Sequence, residues 1–190
     1  MESDHIRADP GAPDQLAGRA ELIHDRASVE AALDRMAREI TAVVGARDPV
    51  FLAVMTGGLI PGAWLSARLD FPHRLDYCHA TRYRGQTRGG ELHWLARPRL
   101  DLAGQCVLIF DDILDEGHTL KAIREYCRDR GADQVLLAVL VRKRHDRCLA
   151  DVQADFVGLE VDDRYVFGCG MDYEEHYRNL TAIYALTEAG

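Results

Sequence analysis

The 190-residue chain carries 31 acidic against 23 basic side chains, a net charge of −8, which argues against the cationic surface that sequence-independent nucleic-acid binding needs. Hydrophobic residues at 47% and charged residues at 28% fit a soluble globular protein of one domain, long enough to bury a substantial core. No apolar run approaches membrane-spanning length and the first residues hold no signal-peptide core, so neither a membrane nor a secretory route is expected. The cysteines Cys78, Cys106, Cys127, Cys148 and Cys169 are odd in number, scattered, and never in a CxxC pair. That pattern points to reduced thiols in a cytoplasm and away from a disulfide frame or a zinc site.

In chain order, residues 1–13 contain Pro10, Gly11 and Pro13 with little apolar periodicity, and a flexible tail is expected there. Residues 14–190 are expected to form a single domain. Residues 15–26 are expected to be a short helix. Val29, Leu33, Met36, Ile40, Val43 and Val44 recur at steps of three and four, which predicts a long helix over 29–44 with Ser28 as N-cap and Gly45 as stop. The apolar run 50–55 predicts a buried strand. It runs into Thr56, Gly57 and Gly58, then into a short helix over 59–65 with Pro61 in its first turn. A strand, two glycines and a helix let backbone amides face an oxyanion; a plain tight turn fits the same residues. Residues 74–83 alternate loosely as a strand. Arg82, Tyr83, Arg84 and Arg88 among three glycines read as a mobile cationic loop or as a solvated hairpin tip. Residues 91–97 then form the returning strand and 100–104 a connection.

The stretch from Val107 to Leu120 carries the chemistry. Val107, Leu108, Ile109 and Phe110 form a core strand. Asp111 and Asp112 follow, then two apolar residues, then Asp115, Glu116, Gly117, His118 and Thr119, and residues 121–128 continue at helical spacing. This is strand, acidic loop, helix. Gly117 permits close backbone approach, and amides at the helix start together with the Thr119 hydroxyl suit a phosphate. Carboxylates at the carboxyl end of the strand suit a sugar diol or a hydrated Mg²⁺. A capped helix with solvated acids is the plain alternative, disfavoured by three acids in five residues straight after a core strand. Gly131 ends the helix and residues 134–141 form another buried strand. The basic run from Arg142 to Arg147 reads as solvated surface by default. Residues 155–161 form a further strand, followed by a block from Asp162 to Tyr173 and a partly apolar closing segment over 177–186. Buried strands alternating with helices make the fold class α/β.

Residues 107–120 resemble the phosphoribosyl-pyrophosphate (PRPP) motif of the type I phosphoribosyltransferases. The later block, with Tyr165, Val166, Gly168, Asp172 and Tyr173, resembles the hypoxanthine-guanine branch of that family. The resemblance covers about residues 50–186. It implies a twisted, mostly parallel sheet flanked by helices, with a small hood built from both chain ends. It implies purine salvage in the cytoplasm, with Mg²⁺ as cofactor, PRPP and a purine base as substrates, and a homodimer or homotetramer. A different purine specificity, xanthine or adenine, or a non-catalytic regulator on the same fold, are the alternatives.

By the same resemblance, Asp115 is the general base. Asp111, Asp112, Asp115, Glu116, Gly117, His118, Thr119, Thr56, Gly57 and Arg178 bind PRPP. Tyr165 stacks on the purine, the Val166 backbone reads its edge, and Lys143, with Arg142 as the alternative, donates to its 6-oxo group. Asp111, Asp112 and Asp172 hold the metal, with Asp172 beside the base. Arg82 and Tyr83 stand in the loop that closes over the reaction. The resemblance also implies a cis peptide between Met55 and Thr56. Two positions depart from the family pattern: Thr56 replaces a Lys or Arg, and Glu116 replaces a Thr, so the Glu116 carboxylate is expected to turn outward and to weaken PRPP binding modestly.

Overall fold

The computed structural model describes residue 16, residues 18–82 and residues 92–187. The tail expected over residues 1–13 and the loop expected beyond Arg82 over 83–90 lie outside the described residues. Chain order is β1 (Ala20–His24), α1 (Arg26–Val44), β2 (Val50–Met55), α2 (Leu59–Ser66), β3 (Arg74–Arg82), β4 (Leu92–Ala96), β5 (Cys106–Leu114), α3 (His118–Asp129), β6 (Gln134–Arg144), β7 (Phe156–Asp162), β8 (Val166–Phe167) and β9 (Ile183–Leu186).

Six strands form the main sheet in the order β4-β3-β2-β5-β6-β7. Every pairing is parallel except β3 with β4, so the expected α/β class with a mostly parallel, helix-flanked sheet is what the chain adopts. Central strands buried on both faces explain the unbroken runs at Val50 to Val54 and Val107 to Phe110. Helices α1 and α2 cover one face, where Val29, Leu33, Met36, Ile40 and Leu65 pack on Phe51, Leu108, Phe110 and Leu140. Helix α3 covers the other, where Leu120, Ile123 and Cys127 pack on Val107, Ile109, Leu137 and Val139. Each fully buried side chain of this size contributes about 1.5–3 kcal/mol of burial. A second sheet, β1-β9-β8, joins strands from both ends of the chain over a small core of Leu16, Phe167, Ala182 and Tyr184. None of the five cysteines is in a disulfide.

Three local expectations are corrected. The helix expected over 15–26 is instead strand β1, because Ala20 to Leu22 pair with Leu186 to Tyr184, a partner more than 160 residues away that no local pattern reveals. Helix α1 begins a turn earlier than expected: its N-cap is Asp25, whose side chain accepts from the Ser28 amide, and Ser28 lies inside the helix. Strand β5 does not stop at Phe110. Its ladder with β6 continues through Asp111↔Val139 to Leu114↔Arg142, which makes Asp111 and Asp112 strand residues and carries β6 on to Arg144.

Candidate active site

The strand order creates the site. After β2 the chain moves to one side, to β3, and after β5 to the other, to β6. The connecting helices α2 and α3 therefore lie on opposite faces and part between the carboxyl ends of β2 and β5, the position where open α/β sheets take their ligands. A cavity of about 380 Å³ opens there, lined by Met55, Gly57, Asp111, Asp112, residues 115–119 and Arg178.

At its floor stand two neighbouring carboxyls. Asp112 is only 8% exposed, and its backbone N–H donates to Asp111 Oδ1 at 2.9 Å. Burial first, then the negative charge of Asp112, pushes the Asp111 carboxyl well above the usual range. Burial also raises Asp112, while a hydrogen bond from Asp111 and the charge of Arg178 pull against it. The turn after β2 is built around this pair: a Cβ on Gly57 would stand 1.9 Å from Asp112 Oδ2, so only glycine fits. The Met55–Thr56 peptide is cis, as the resemblance implies. Thr56 itself is exposed and precedes the cavity-lining Gly57.

The wall opposite is the start of α3. Gly117 takes φ +85° as its N-cap, no side chain caps the helix, and its first turn holds no acid. A helix start left this way, with Thr119 on the cavity wall, offers amides and the positive end of the helix dipole to an anion. The side chain of Glu116 is 44% exposed and its Oε2 lies 3.5 Å from His118 Nε2. The resemblance implies that this turn takes a phosphate, and a carboxylate there would oppose a dianion, so Glu116→Thr is expected to lower the Michaelis constant for PRPP about two- to fivefold, on the order of 0.5–1 kcal/mol; steady-state kinetics at saturating base would show it, and an unchanged constant would contradict it.

Towards the sheet's far side, Lys143 Nζ donates to Asp115 Oδ2 at 2.7 Å and is only 13% exposed. Arg142 is paired instead with Glu160 across the β6–β7 ladder. Of the two cations, then, Lys143 reaches the acidic loop. Burial tends to raise the Asp115 carboxyl, but hydrogen bonds from Lys143 and His145 outweigh it and hold it below the usual range.

Arg178 donates to the Gly170 carbonyl at 2.6 Å and pairs with Asp172 Oδ1 at 2.6 Å. The other Asp172 oxygen accepts from the Glu175 amide, so Asp172 joins the cluster through Arg178. Tyr165, 52% exposed, donates its hydroxyl to the Asp172 carbonyl at 3.1 Å and rests edge-on against Tyr173. Val166 is buried at the start of β8.

The fold thus gathers Gly57, Asp111, Asp112, Asp115, Glu116, Gly117, His118, Thr119 and Arg178 around one cavity. Lys143 is attached through Asp115, and Asp172 and Tyr165 through Arg178. Val166 does not line the cavity. Arg82 ends β3, with its side chain and Tyr83 outside the described residues. Sequence reading passed over His145, which contacts Asp115, and Gly170, whose φ is +100° and whose Cβ would meet the Gly57 carbonyl at 2.1 Å. The spacing of Lys143 and His145 would have marked the first, since alternate residues share a side once the strand is read past Val141.

The family model described as "Phosphoribosyl transferase domain" matches residues 20–176. The chain is similar to the hypoxanthine-guanine phosphoribosyltransferase of Bacillus subtilis, 33% identical over 162 residues, 85% of this chain and 89% of that one. It is similar to that of Streptococcus agalactiae, 32% identical over 151 residues, 79% and 83%. A solved hypoxanthine phosphoribosyltransferase from Staphylococcus aureus superposes with TM-score 0.86 at 26% identity over 94% of this chain and 97% of that chain. With the family model spanning residues 20–176 and relatives above 30% identity over more than two thirds of the chain, the chain belongs to the phosphoribosyl transferase domain family.

Proposed function

We propose that this protein transfers the 5-phosphoribosyl group of PRPP to N9 of hypoxanthine or guanine, giving the nucleotide and pyrophosphate. The observation that carries the reading is the convergence of the Asp111–Asp112 pair, Gly57, the start of α3 and Arg178 on one cavity. Carboxyls suited to a ribose diol stand beside a helix start suited to its 5′-phosphate. The printed names of the relatives, hypoxanthine-guanine phosphoribosyltransferases, support the choice of base.

In the reaction, the N9–C1′ bond forms as the C1′–oxygen bond breaks, and pyrophosphate leaves with the electron pair. The amides of residues 116–119 and Thr119 hold the 5′-phosphate, and Asp111 and Asp112 the ribose hydroxyls. Asp115 takes the proton from N7, a general-base role that typically contributes about 10²–10⁴-fold. Lys143, beside Asp115, gives its N–H to the 6-oxo group, so the two side chains match the carbonyl and ring nitrogen that adjoin on one purine edge. An exocyclic amine there would leave a donor facing a donor. Tyr165 offers a flat face to the base, the Val166 backbone reads its edge, and Arg178 receives pyrophosphate oxygens in its fork of donors.

Among the described residues, no three His, Cys, Asp or Glu side chains converge to hold a metal by themselves. Two neighbouring carboxyls, one half-buried and one buried, whose charge Arg178 only partly offsets, do fit a Mg²⁺ shared with substrate oxygens. Asp111 and Asp112 would hold it, with Asp172 the third carboxylate. When bound, it would neutralise charge developing on the leaving pyrophosphate.

No helix of the described residues is long and apolar enough to cross a membrane. A homodimer or homotetramer is supported by the exposed Leu59, Leu75 and Tyr77, which border an apolar groove of about 270 Å³ beside β3 and α2. Five cysteines with no disulfide among them support a cytoplasmic setting.

The test is incubation with PRPP, Mg²⁺ and hypoxanthine, guanine, xanthine or adenine in turn, with detection of pyrophosphate. Release with hypoxanthine or guanine and little with adenine is expected. Release with xanthine or adenine alone would move the specificity, and no release with any base would leave a binding protein.

A further inference from the structure

The carboxylate of Asp115 has a second partner besides Lys143. His145 Nε2 lies 2.6 Å from Asp115 Oδ1, and the His145 side chain is only 3% exposed. The other ring nitrogen, Nδ1, lies 3.1 Å from the Arg147 backbone N–H. That group can only donate, so Nδ1 accepts and bears no proton. The ring proton sits on Nε2, and Nε2–H donates to Asp115.

From this arrangement we infer that His145 is a positioning residue for the transfer reaction: it holds the Asp115 carboxylate at the angle from which that group meets the base. The inference rests on the transferase reading above. Lys143 holds one oxygen of Asp115 and His145 the other, so the carboxyl plane is fixed from two sides. An ionised carboxylate has about four lone-pair sites. Two donors leave room for the N7–H of a purine.

The geometry excludes a relay. For His145 to accept the proton that Asp115 gains, Nε2 would have to give up its own, and Nδ1 has only a backbone N–H before it. His145 orients the base and does not carry its proton. Lys143 has its own task towards the 6-oxo group, so when substrate draws on Lys143, His145 remains the fixed partner of Asp115. Arg147, whose guanidinium could compete, is turned to Asp163 through two hydrogen bonds at 2.6 and 2.8 Å and comes no nearer than 3.9 Å to Asp115. That pair braces the same turn from outside and leaves the inner face to the imidazole.

The experiment compares the whole protein with His145→Leu and His145→Gln, since a glutamine amide places a donor where Nε2 stands. Pyrophosphate release with PRPP, Mg²⁺ and hypoxanthine or guanine gives kcat, both Michaelis constants are measured, and thermal melting checks folding. His145→Leu is expected to lower kcat about 10- to 100-fold, the scale of a misplaced catalytic group. The Michaelis constant for PRPP should stay within about twofold, since its loop is untouched. His145→Gln should recover most of the loss. Long-range ¹H–¹⁵N correlation on the wild type at pH 8 should show the proton on Nε2, a result independent of any variant. A folded His145→Leu with wild-type kcat, a glutamine variant no better than leucine, or a proton found on Nδ1 would each overturn the positioning role. Absence of turnover by the wild type with either base would overturn the transferase reading itself, and the role with it. A wild type that turns over beside an unaffected leucine variant overturns the role alone.

Discussion

Asp115→Asn is expected to lower kcat about 10²–10⁴-fold while changing the Michaelis constant for PRPP little. The substitution keeps the size and shape of the side chain and removes its capacity to take a proton. It also replaces one of the oxygens that now faces Lys143 Nζ at 2.7 Å or His145 Nε2 at 2.6 Å by an NH₂ group, or forces the amide to choose between them. The depressed titration of Asp115, where the donors of Lys143 and His145 overcome burial, keeps the wild-type group ionised at neutral pH and so ready as an acceptor. A low pKa weakens a base, and under the proposed function the compensation would lie in placement: the Lys143 that lowers Asp115 would turn to the 6-oxo oxygen once a purine is bound. Steady-state kinetics with hypoxanthine and guanine measure the effect. A variant within about threefold of the wild-type kcat would remove Asp115 from the chemistry.

Asp111→Asn is expected to make the protein more stable and far less able to bind PRPP. The half-buried Asp111 and buried Asp112 carboxyls both titrate above the usual range, through desolvation first and, for Asp111, through the charge of its neighbour. With a folded value above the unfolded one, the folded chain binds these protons more tightly. The pair's contribution is therefore most favourable below the unfolded value near 3.8 and declines as pH rises through the folded values. At neutral pH, above the unfolded value, the crowded carboxyl pair thus carries a standing cost. Replacing one carboxyl should recover on the order of 1 kcal/mol, about 2–4 °C in Tm for a chain of this length. Exposed acids such as Asp163, held down at about 2 by a hydrogen bond from Arg147, push the whole-protein pH curve the other way. The difference between variant and wild type across pH 4–8 isolates the pair. PRPP affinity should fall at least about tenfold, since a hydrogen-bonded charged contact is worth about 1.5–3 kcal/mol. A lower Tm together with unchanged PRPP binding would contradict the functional reading of these acids.

What could be read from the chain before its structure followed physical range. The apolar strands over Val50–Met55 and Cys106–Leu114 and the periodic face of α1 are local patterns, and the order of acids, glycine and threonine after β5 is local too. Strand β1 was not legible, because what makes Ala20–His24 a strand is Ala185 and Leu186 at the other chain end. The end of β5 was misplaced because aspartates are poor strand formers; the ladder to β6 overrides that preference. The same shift explains His145. With β6 stopped at Val141, the run from Arg142 to Arg147 reads as solvated surface by default, and the resemblance alone singles out Lys143 and leaves His145 unmarked. With β6 carried to Arg144, they come to the same side and both reach Asp115, while Arg142 and Arg144 turn to Glu160 and Asp162. The need for glycine at position 57 likewise became plain only once Asp112 was seen against it.

The most direct measurement is a ¹⁵N-detected titration of the protein with PRPP and Mg²⁺. Backbone amides of Gly57, Asp111, Asp112 and residues 116–119 are expected to shift together and saturably, with Asp111→Asn moving the midpoint to at least about tenfold more PRPP. A saturable response confined to residues away from the carboxyl ends of β2 and β5, or none with PRPP at all, would contradict the account.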